Sequence, residues 1–266
     1  MAFIRIFKSA WLFRDMIKSS VQREFKSRWT GTQLGPIWLL IQPLATILIF
    51  TVIFAHIMKP GMPAHASRFA YSIYLCSGVL AYNLFSELLT CSVNVFVENA
   101  NLIKKINFPK ICLSIIVLLS GLMNFAIISS IFLLFLILTS AFPGWVILST
   151  LPVLGIQLFF TMGLGMFLAT INVFYRDIQQ TVQVILQFWF WLTPIVYIDT
   201  SLPDTVQNIL RWNPLFPMIK AYQGIFLDHQ VPDCTPLIYP LCLAVFFNLL
   251  GVFAFHRLQG EIMDEL

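Results

Sequence analysis

The amino-acid sequence predicts an all-α integral membrane protein with six transmembrane helices, an N-terminal amphipathic interface helix and short re-entrant helices between the fifth and sixth spans. Three observations support this fold class: only 11% of the 266 residues are charged, 59% are hydrophobic, and long uncharged runs separate the charges. Soluble domains carry about 25% charged residues, so this chain has too few charges to cover a water-facing surface. A soluble enzyme, a disordered regulator and a fibrous protein are therefore disfavoured.

Residues 1–33 are predicted to be a cytoplasmic unit whose main element is an amphipathic helix. Between residues 3 and 21, apolar side chains recur at helical spacing on one face, flanked by Arg14 and Lys18. Such a pattern is typical of helices that lie in the membrane interface and contact anionic lipid headgroups. A helix packed on a soluble partner would show the same pattern; we favour the membrane surface because a bilayer is adjacent. The apolar face consists of Phe3, Ile6, Phe7, Ala10, Phe13, Ile17 and Val21.

Uncharged runs within residues 34–266 place the spans, since crossing the hydrocarbon core takes about 20 residues. The run 111–175 is too long for one span, and Pro143-Gly144 marks the turn between two. Twelve of the 16 Lys and Arg residues fall on the side that holds both termini. Positive charge favours the cytoplasmic side, so both termini are predicted to be cytoplasmic. The predicted spans are 34–58, 69–93, 111–139, 145–173, 178–198 and 235–256.

The segment 199–234 is predicted to form re-entrant half-helices that dip into the outer side of the membrane. Its apolar runs are too short to span, and Asn213-Pro214 interrupts them. Short apolar runs between two spans are typical of re-entrant segments. A plain extracellular loop is the alternative, although it would be less aromatic.

Polar side chains form a row along each of two predicted spans. Gln180, Gln183, Gln187 and Trp191 share one face of the fifth span, and Trp38, Gln42 and Thr46 share one face of the first. Amide and indole groups are costly in hydrocarbon unless they face protein or water. The rows therefore indicate either the lining of a translocation path or hydrogen bonding between helices, and the sequence supports both equally.

Catalytic and nucleotide-binding motifs are absent from the sequence, so a partner is expected to supply the energy for any work. Two alternatives remain open. One is a membrane-embedded enzyme of glycan or lipid assembly, and the other is a proton-coupled carrier that uses Glu87, the one carboxylate well inside a span. The enzyme would need a reactive group in the segment 199–234, where the candidates are Asp199, Asp204, Asp228, Asp233 and His229.

A set of ordered motifs runs from about Arg23 to Phe226. It begins with Arg23-Glu24-Phe25-Lys26-Ser27-Arg28, Leu34-Gly35-Pro36-Ile37-Trp38 and Gln42-Pro43-Leu44. It continues with Asn99, Asn101-Leu102-Ile103-Lys104-Lys105, Phe108-Pro109, Phe174-Tyr175-Arg176-Asp177-Ile178, Trp191, Thr193-Pro194-Ile195, Tyr197 and Asn213-Pro214. Together these motifs resemble those of ABC-2-type permeases that export polysaccharides. One departure from the family pattern is Thr30-Gly31-Thr32-Gln33, where a Tyr-Lys-Ser-type sequence is common.

The resemblance implies a half-transporter of the bacterial inner membrane. Two copies would pair around a channel lined by their first and fifth spans, and two cytoplasmic ABC ATPase subunits would bind the ATP and Mg. The cargo would be a lipid-linked polysaccharide, O-antigen foremost, with capsular polymer and teichoic acid as alternatives. No catalytic residue, metal site, cofactor or nucleic-acid partner is expected for the chain itself.

The resemblance also implies roles for two groups of residues. ATPase coupling would involve the loop 94–110, with a coupling helix, and the loop before the fifth span. The segment 199–234 would form a periplasmic gate. The coupling residues would be Asn99, Asn101, Leu102, Lys104, Lys105, Phe108, Pro109, Arg176 and Asp177, and the gate residues Trp212, Asn213, Pro214 and Phe216.

Overall fold

The computed structural model describes residues 13–27, 69–105, 111–199 and 202–265, together with 37, 41, 45, 48 and 49. Within these residues every regular element is helical, which confirms the predicted all-α class. The helices are α1 (Arg14–Ser27), α2 (Ala70–Glu98), α3 (Ala100–Lys105), α4 (Ile111–Leu138), α5 (Thr150–Phe174), α6 (Asp177–Trp191), α7 (Asp204–Leu210), α8 (Leu215–Gln223), α9 (Cys234–Leu258) and α10 (Glu261–Glu265). A 3₁₀ helix, Gly144–Ser149, leads into α5, and a π-helical turn, Gly224–Asp228, continues α8.

Four stretches of the described chain are long and apolar enough to cross a bilayer, and they make the protein an integral membrane protein. The shortest has 25 residues, which at 1.5 Å per residue exceeds the roughly 30 Å of a hydrocarbon core. They overlap the predicted second, third, fourth and sixth spans. The first predicted span lies almost entirely outside the described residues. The four stretches are Ala70–Glu98, Cys112–Leu138, Gly144–Phe174 and Cys234–Leu258.

Helix α6 is shorter than the fifth span predicted at 178–198. It contains 15 residues and ends at Trp191, so it covers about 22 Å. Pro194 explains the early end, because proline lacks an N–H and disfavours helical geometry in the residue before it. Residues 192–199 continue as a series of turns, which we call the outer turn.

The buried helix α2 occupies the centre of the bundle and is bonded to α5 by two side-chain amides. Gln157 Nε2 donates to the Ala81 carbonyl at 2.7 Å, and Asn172 Nδ2 donates to the Val93 carbonyl at 3.0 Å. The earlier residue of α5 bonds to the earlier residue of α2, and the later residue bonds to the later one. The two helices therefore run in the same direction. Following the predicted orientation, we call the end where these two helices begin the outer end, and the opposite end the inner end.

Helix α9 packs on α5 through two glycines. An ideal Cβ on Gly163 would lie 2.6 Å from the backbone nitrogen of Asn248, and one on Gly251 would lie 3.0 Å from the Gly163 carbonyl oxygen. Asn248 Nδ2 also donates to the Phe159 carbonyl at 2.7 Å. Small residues with an interhelical amide are the usual means by which membrane helices approach closely.

The described part of the N-terminal helix packs on the protein itself. Helix α1 ends at Ser27, within the predicted interface unit 1–33, and its Ile17 and Val21 are buried in a cluster with residues of α4. Ser120 of α4 donates to Glu24 Oε2 at 2.7 Å. Ile17 and Val21, which lie on the face expected to contact the membrane, therefore pack on α4 instead. Arg14 and Lys18 remain exposed, while residues 1–12 lie outside the described chain.

We expect Gly163→Ala to destabilise the protein by about 1–3 kcal/mol, because the added methyl meets backbone that side-chain rotation cannot move. Gly155→Ala in the same helix is the control, since nothing lies within 4 Å of an ideal Cβ there. Thermal unfolding of the two purified variants in one detergent checks the difference. Equal unfolding temperatures would contradict the close α5–α9 contact.

Candidate functional site

The predicted polar row of the fifth span lies on one exposed face of α6. Gln180, Gln183 and Gln187 are exposed, and Trp191 is 61% exposed. The helix buries a different face of its surface, through Val182 and Leu186. The row therefore points away from the core of this chain. The second predicted row, Trp38, Gln42 and Thr46, lies outside the described residues.

An exposed apolar face adjoins the polar row on α6. Its side chains are between 49% and 67% exposed. The helix thus has three distinct surfaces: one buried in the chain, one polar and exposed, and one apolar and exposed. The apolar face consists of Val184, Ile185, Phe188 and Leu192.

Aromatic contacts with α2 fix the rotation of α6. The Tyr82 hydroxyl donates to the Leu186 carbonyl. The Phe190 ring meets the Tyr82 ring edge-on with 5.2 Å between centroids, and the Trp189 ring meets Phe85 at 5.4 Å. The four consecutive aromatic residues Phe188–Trp191 therefore divide into two packed rings, Trp189 and Phe190, and two exposed ones.

Asn213 joins the end of α6 to the start of α8. Its Oδ1 accepts from Trp189 Nε1 at 2.8 Å and from the Leu215 N–H at 3.0 Å. Its Nδ2 donates to Thr193 Oγ1 at 2.9 Å and to the Leu192 carbonyl at 3.4 Å. One amide thus connects three segments, and Asn213 was predicted as a gate residue from the resemblance alone.

The outer turn is held by two tyrosines of α2 that sequence reasoning missed. The Tyr71 hydroxyl donates to the Val196 carbonyl at 2.6 Å, and the Tyr74 hydroxyl lies 3.1 Å from the Pro194 carbonyl oxygen and 3.0 Å from that of Tyr197. In the sequence, these contacts could have been suspected because two tyrosine hydroxyls lie near the start of an apolar span, where each needs a hydrogen-bond acceptor.

Helix α8 lies beside the outer half of α2 with most of its surface buried. Gln223 Nε2 donates to the Pro194 carbonyl at 3.1 Å and so adds a further bond to the outer turn. The buried side chains are Leu215, Met218, Ile219, Ala221, Tyr222 and Gln223.

A cavity of 1380 Å³ opens at the outer end of the bundle, and we call it the outer cavity. The predicted gate residue Phe216 lines it, whereas Trp212 is 76% exposed and accepts a hydrogen bond from Tyr239 at its carbonyl. Of the acids and the histidine considered for an enzyme, only Asp204 lies outside the lining. The titratable lining residues are Asp199, Arg211, Lys220, Asp228, His229, Asp233, Tyr74 and Tyr239.

The described coupling residues lie at the inner end. Asn99 follows α2 and donates through Nδ2 to the Val95 carbonyl at 2.9 Å. In α3, Asn101 and Lys104 are exposed, and the backbone of Leu102 and Lys105 is helical. Phe108 and Pro109 lie outside the described residues.

The loop before α6 lies at the same end as α3. The Asn172–Val93 hydrogen bond places the last turns of α5 and α2 side by side. Arg176 and Asp177, which follow α5 directly and begin α6, are both exposed. The structure therefore brings both predicted coupling segments to one end of the bundle. Among the described residues, no group of His, Cys, Asp or Glu could hold a metal ion.

The fold and these sites define a polytopic helical membrane protein with a polar face on a short helix, a packed outer turn and two exposed segments at the inner end. Residues 16–227 match the model of the ABC-2 type transporter family. The chain belongs to this family, which confirms the family resemblance found in its motifs.

Curated relatives match nearly the whole chain. The O-antigen export system permease protein RfbA of Myxococcus xanthus is 30% identical over 265 residues, covering 99% of this chain and 100% of the relative. A permease of the same name from Klebsiella pneumoniae is 26% identical, covering 95% of each chain. The polysialic acid transport protein KpsM of Escherichia coli is 22% identical, covering 91% of this chain and 92% of its own.

We expect Asn213→Ala to lower the stability of the protein by about 1–3 kcal/mol, because it leaves the Trp189 indole N–H and the Leu215 N–H without their acceptor. Thermal unfolding in detergent measures the change. Asn208→Ala, at an exposed position of α7, is the control and should unfold like the parent protein. If both variants unfold alike, Asn213 does not hold α6 and α8 together.

Proposed function

We propose that this chain is the transmembrane permease subunit of an ATP-driven exporter that moves a lipid-linked polysaccharide of the O-antigen type across the bacterial inner membrane. The relatives' names support the cargo, and family membership supports transport. The observation that carries the proposal is the polar row on α6: three glutamines and a tryptophan lie exposed on a helix whose rotation is fixed by α2.

Two copies of the chain enclose the conduit in this proposal. Glutamines facing hydrocarbon are costly, so the polar row needs water, sugar or protein against it. The adjoining apolar face, including Val184 and Phe188, contacts lipid or the other copy. In the first span, Trp38, Gln42 and Thr46 complete the lining. Amide groups and indole rings bind a single sugar unit only weakly. A conduit lined by them therefore allows a neutral polymer to move along it.

The proposed topology has six spans with both termini in the cytoplasm. Helix α6 crosses together with the outer turn, whose carbonyls have donors from α2 and α8. Side-chain donors of this kind allow irregular backbone at membrane depth. The short helices α7 and α8 dip into the outer side and form the periplasmic gate, while α1 lies at the cytoplasmic surface against α4 and the membrane lipids.

Two partner ATPase subunits supply the energy and bind the ATP and Mg. They dock on α3 and on the Arg176–Asp177 loop, and their closure moves these segments as rigid bodies. Because α3 follows α2 directly, a push on α3 reaches α6 and the outer turn through the bonds of Tyr82, Tyr74 and Tyr71. The conduit and the periplasmic gate then move together with α2.

The double variant Gln183→Leu with Gln187→Leu should reduce export by about tenfold or more, equivalent to roughly 1.4 kcal/mol, because it removes the polar lining. Surface polysaccharide in a strain that depends on the transporter measures export. Thr181→Leu, exposed on the same helix but about a quarter of a turn away from the row, is the control. The proposal would be contradicted if the double variant exported at the wild-type level. It would also be contradicted if the purified chain alone exported polymer under a proton gradient.

Charge reversal at Arg176 should uncouple ATP hydrolysis by the partner subunits from export. We expect Arg176→Glu to leave the protein folded and to cut export to about a tenth, which is an energetic change of roughly 1.4 kcal/mol. Copurification of the ATPase and ATP hydrolysis in reconstituted vesicles locate the defect. The control is Arg257→Glu, an exposed arginine near the end of α9. If both charge reversals reduced export equally, the defect would come from the change in overall charge and not from the loop that contains Arg176.

A further inference from the structure

We propose that the outer cavity is a binding site for a neutral sugar unit, separate from the conduit. The lining comes from outer-end segments: the start of α2, the Thr139–Ala141 turn, the outer turn, Arg211 after α7, α8 with the π-helical turn, the segment 228–236 and Tyr239 of α9. None of its described lining residues belongs to the polar row. The inference rests on the proposed function only for the source of the sugar.

The charge of the lining favours a neutral ligand over an anionic one. Lys220 is ion-paired with Asp199, so these two charges offset each other. The remaining charged lining residues are Arg211, Asp228 and Asp233, which leave one net negative charge when His229 is neutral. A phosphate or a carboxylate sugar would meet repulsion from two carboxylates against the attraction of one guanidinium. A neutral sugar meets no such penalty.

The same lining offers the groups that sugar hydroxyls require. Arg211 provides several N–H donors, Asp228 and Asp233 provide acceptors, and Gln230 provides both. Sugar hydroxyls both donate and accept, so they match a lining that contains both kinds of group. An ion would use only one kind.

Aromatic rings in the lining provide apolar surface for the C–H faces of a sugar ring. Phe216 and Tyr239 both line the cavity. Lys220 Nζ lies 5.5 Å from the centroid of the Phe216 ring, and the Tyr239 hydroxyl donates to the Trp212 carbonyl at 2.9 Å. Each ring is therefore held by a neighbour. Apolar surface with a few placed polar groups is typical of small-molecule sites.

Unusual backbone geometry is concentrated around this cavity. Within the described chain, the non-glycine residues with positive φ are Ser140 at 56° and His229 at 53°, and both line the cavity. The π-helical turn Gly224–Asp228 forms part of the same wall. Such geometry persists where the surroundings require it, and it is common at ligand sites.

The volume of the cavity suits a ligand larger than one ion or water cluster. Pockets for drug-sized ligands measure about 300–1,000 Å³, and the outer cavity exceeds this range at 1380 Å³. More than one sugar ring can therefore enter, as would be needed to hold a segment of a glycan chain rather than its lipid carrier.

Calorimetric titration of the full-length protein in phosphatidylcholine nanodiscs tests the proposal. The probes are glucose, galactose, mannose, N-acetylglucosamine and their disaccharides, with glucuronic acid and glucose 6-phosphate as anionic counterparts. We expect at least one neutral probe to bind, with its anionic counterpart at least tenfold weaker. The double variant Asp228→Asn with Asp233→Asn should weaken the binding of the neutral probe at least tenfold. If this variant does not fold, Arg211→Gln replaces it in the same measurement. Asp204→Asn, outside the cavity, should bind normally.

Three outcomes would overturn the proposal. One is that no neutral probe binds to the folded protein, and another is that anionic probes bind as tightly as neutral ones. The third is that mass spectrometry of protein purified from membranes finds a phospholipid that sugars do not displace and that the Asp228 and Asp233 variant loses. Because the titration needs neither ATPase nor transport, its failure leaves the proposed export function intact, and a failed export experiment leaves the sugar site intact.

Discussion

Hydrogen bonding of the carbonyl groups at the outer end of α6 is the constraint on which the outer half of the molecule depends. The last four carbonyls of a helix have no partner within it, and in a membrane water does not replace that partner. In α6 each of them has a donor from the chain immediately beyond. Phe188 accepts from the Leu192 N–H, Trp189 from the Thr193 hydroxyl, Phe190 from the Thr193 N–H and Trp191 from the Tyr197 hydroxyl.

Pro194 extends the same constraint into the outer turn. Proline ends the helix and leaves carbonyls in the turn that no regular structure pairs. Tyr71 and Tyr74 of α2 and Gln223 of α8 supply donors to these carbonyls. Polar side chains of α2 and α8 thus donate hydrogen bonds to the same turn. The position of α8 follows from this contact with the turn.

Sequence reasoning predicted the elements that depend on local pattern and missed those that depend on distant pairs. The spacing of Gln180, Gln183 and Gln187 is enough to place them on one face of α6, whereas the exposure of that face is seen only in the structure. Uncharged length is enough to locate the four long helices. The contact between Tyr71 and Val196 joins residues 125 positions apart, and no periodicity reports it. Similarly, the apolar face of α1 has the same pattern whether Ile17 meets lipid or α4, so only the structure distinguishes these two arrangements.

The fixed rotation of α6 limits how the proposed conduit can open. Turning α6 about its axis would break the Tyr82 bond to the Leu186 carbonyl and separate Trp189 from Phe85. It would also pull the indole N–H from Asn213. These contacts lie on a buried face, where lost hydrogen bonds are not replaced by water. In the proposed dimer, a path lined by the polar row would therefore widen by displacement of α2 and α6 as one body against the other copy, because α6 cannot rotate alone without losing all three contacts.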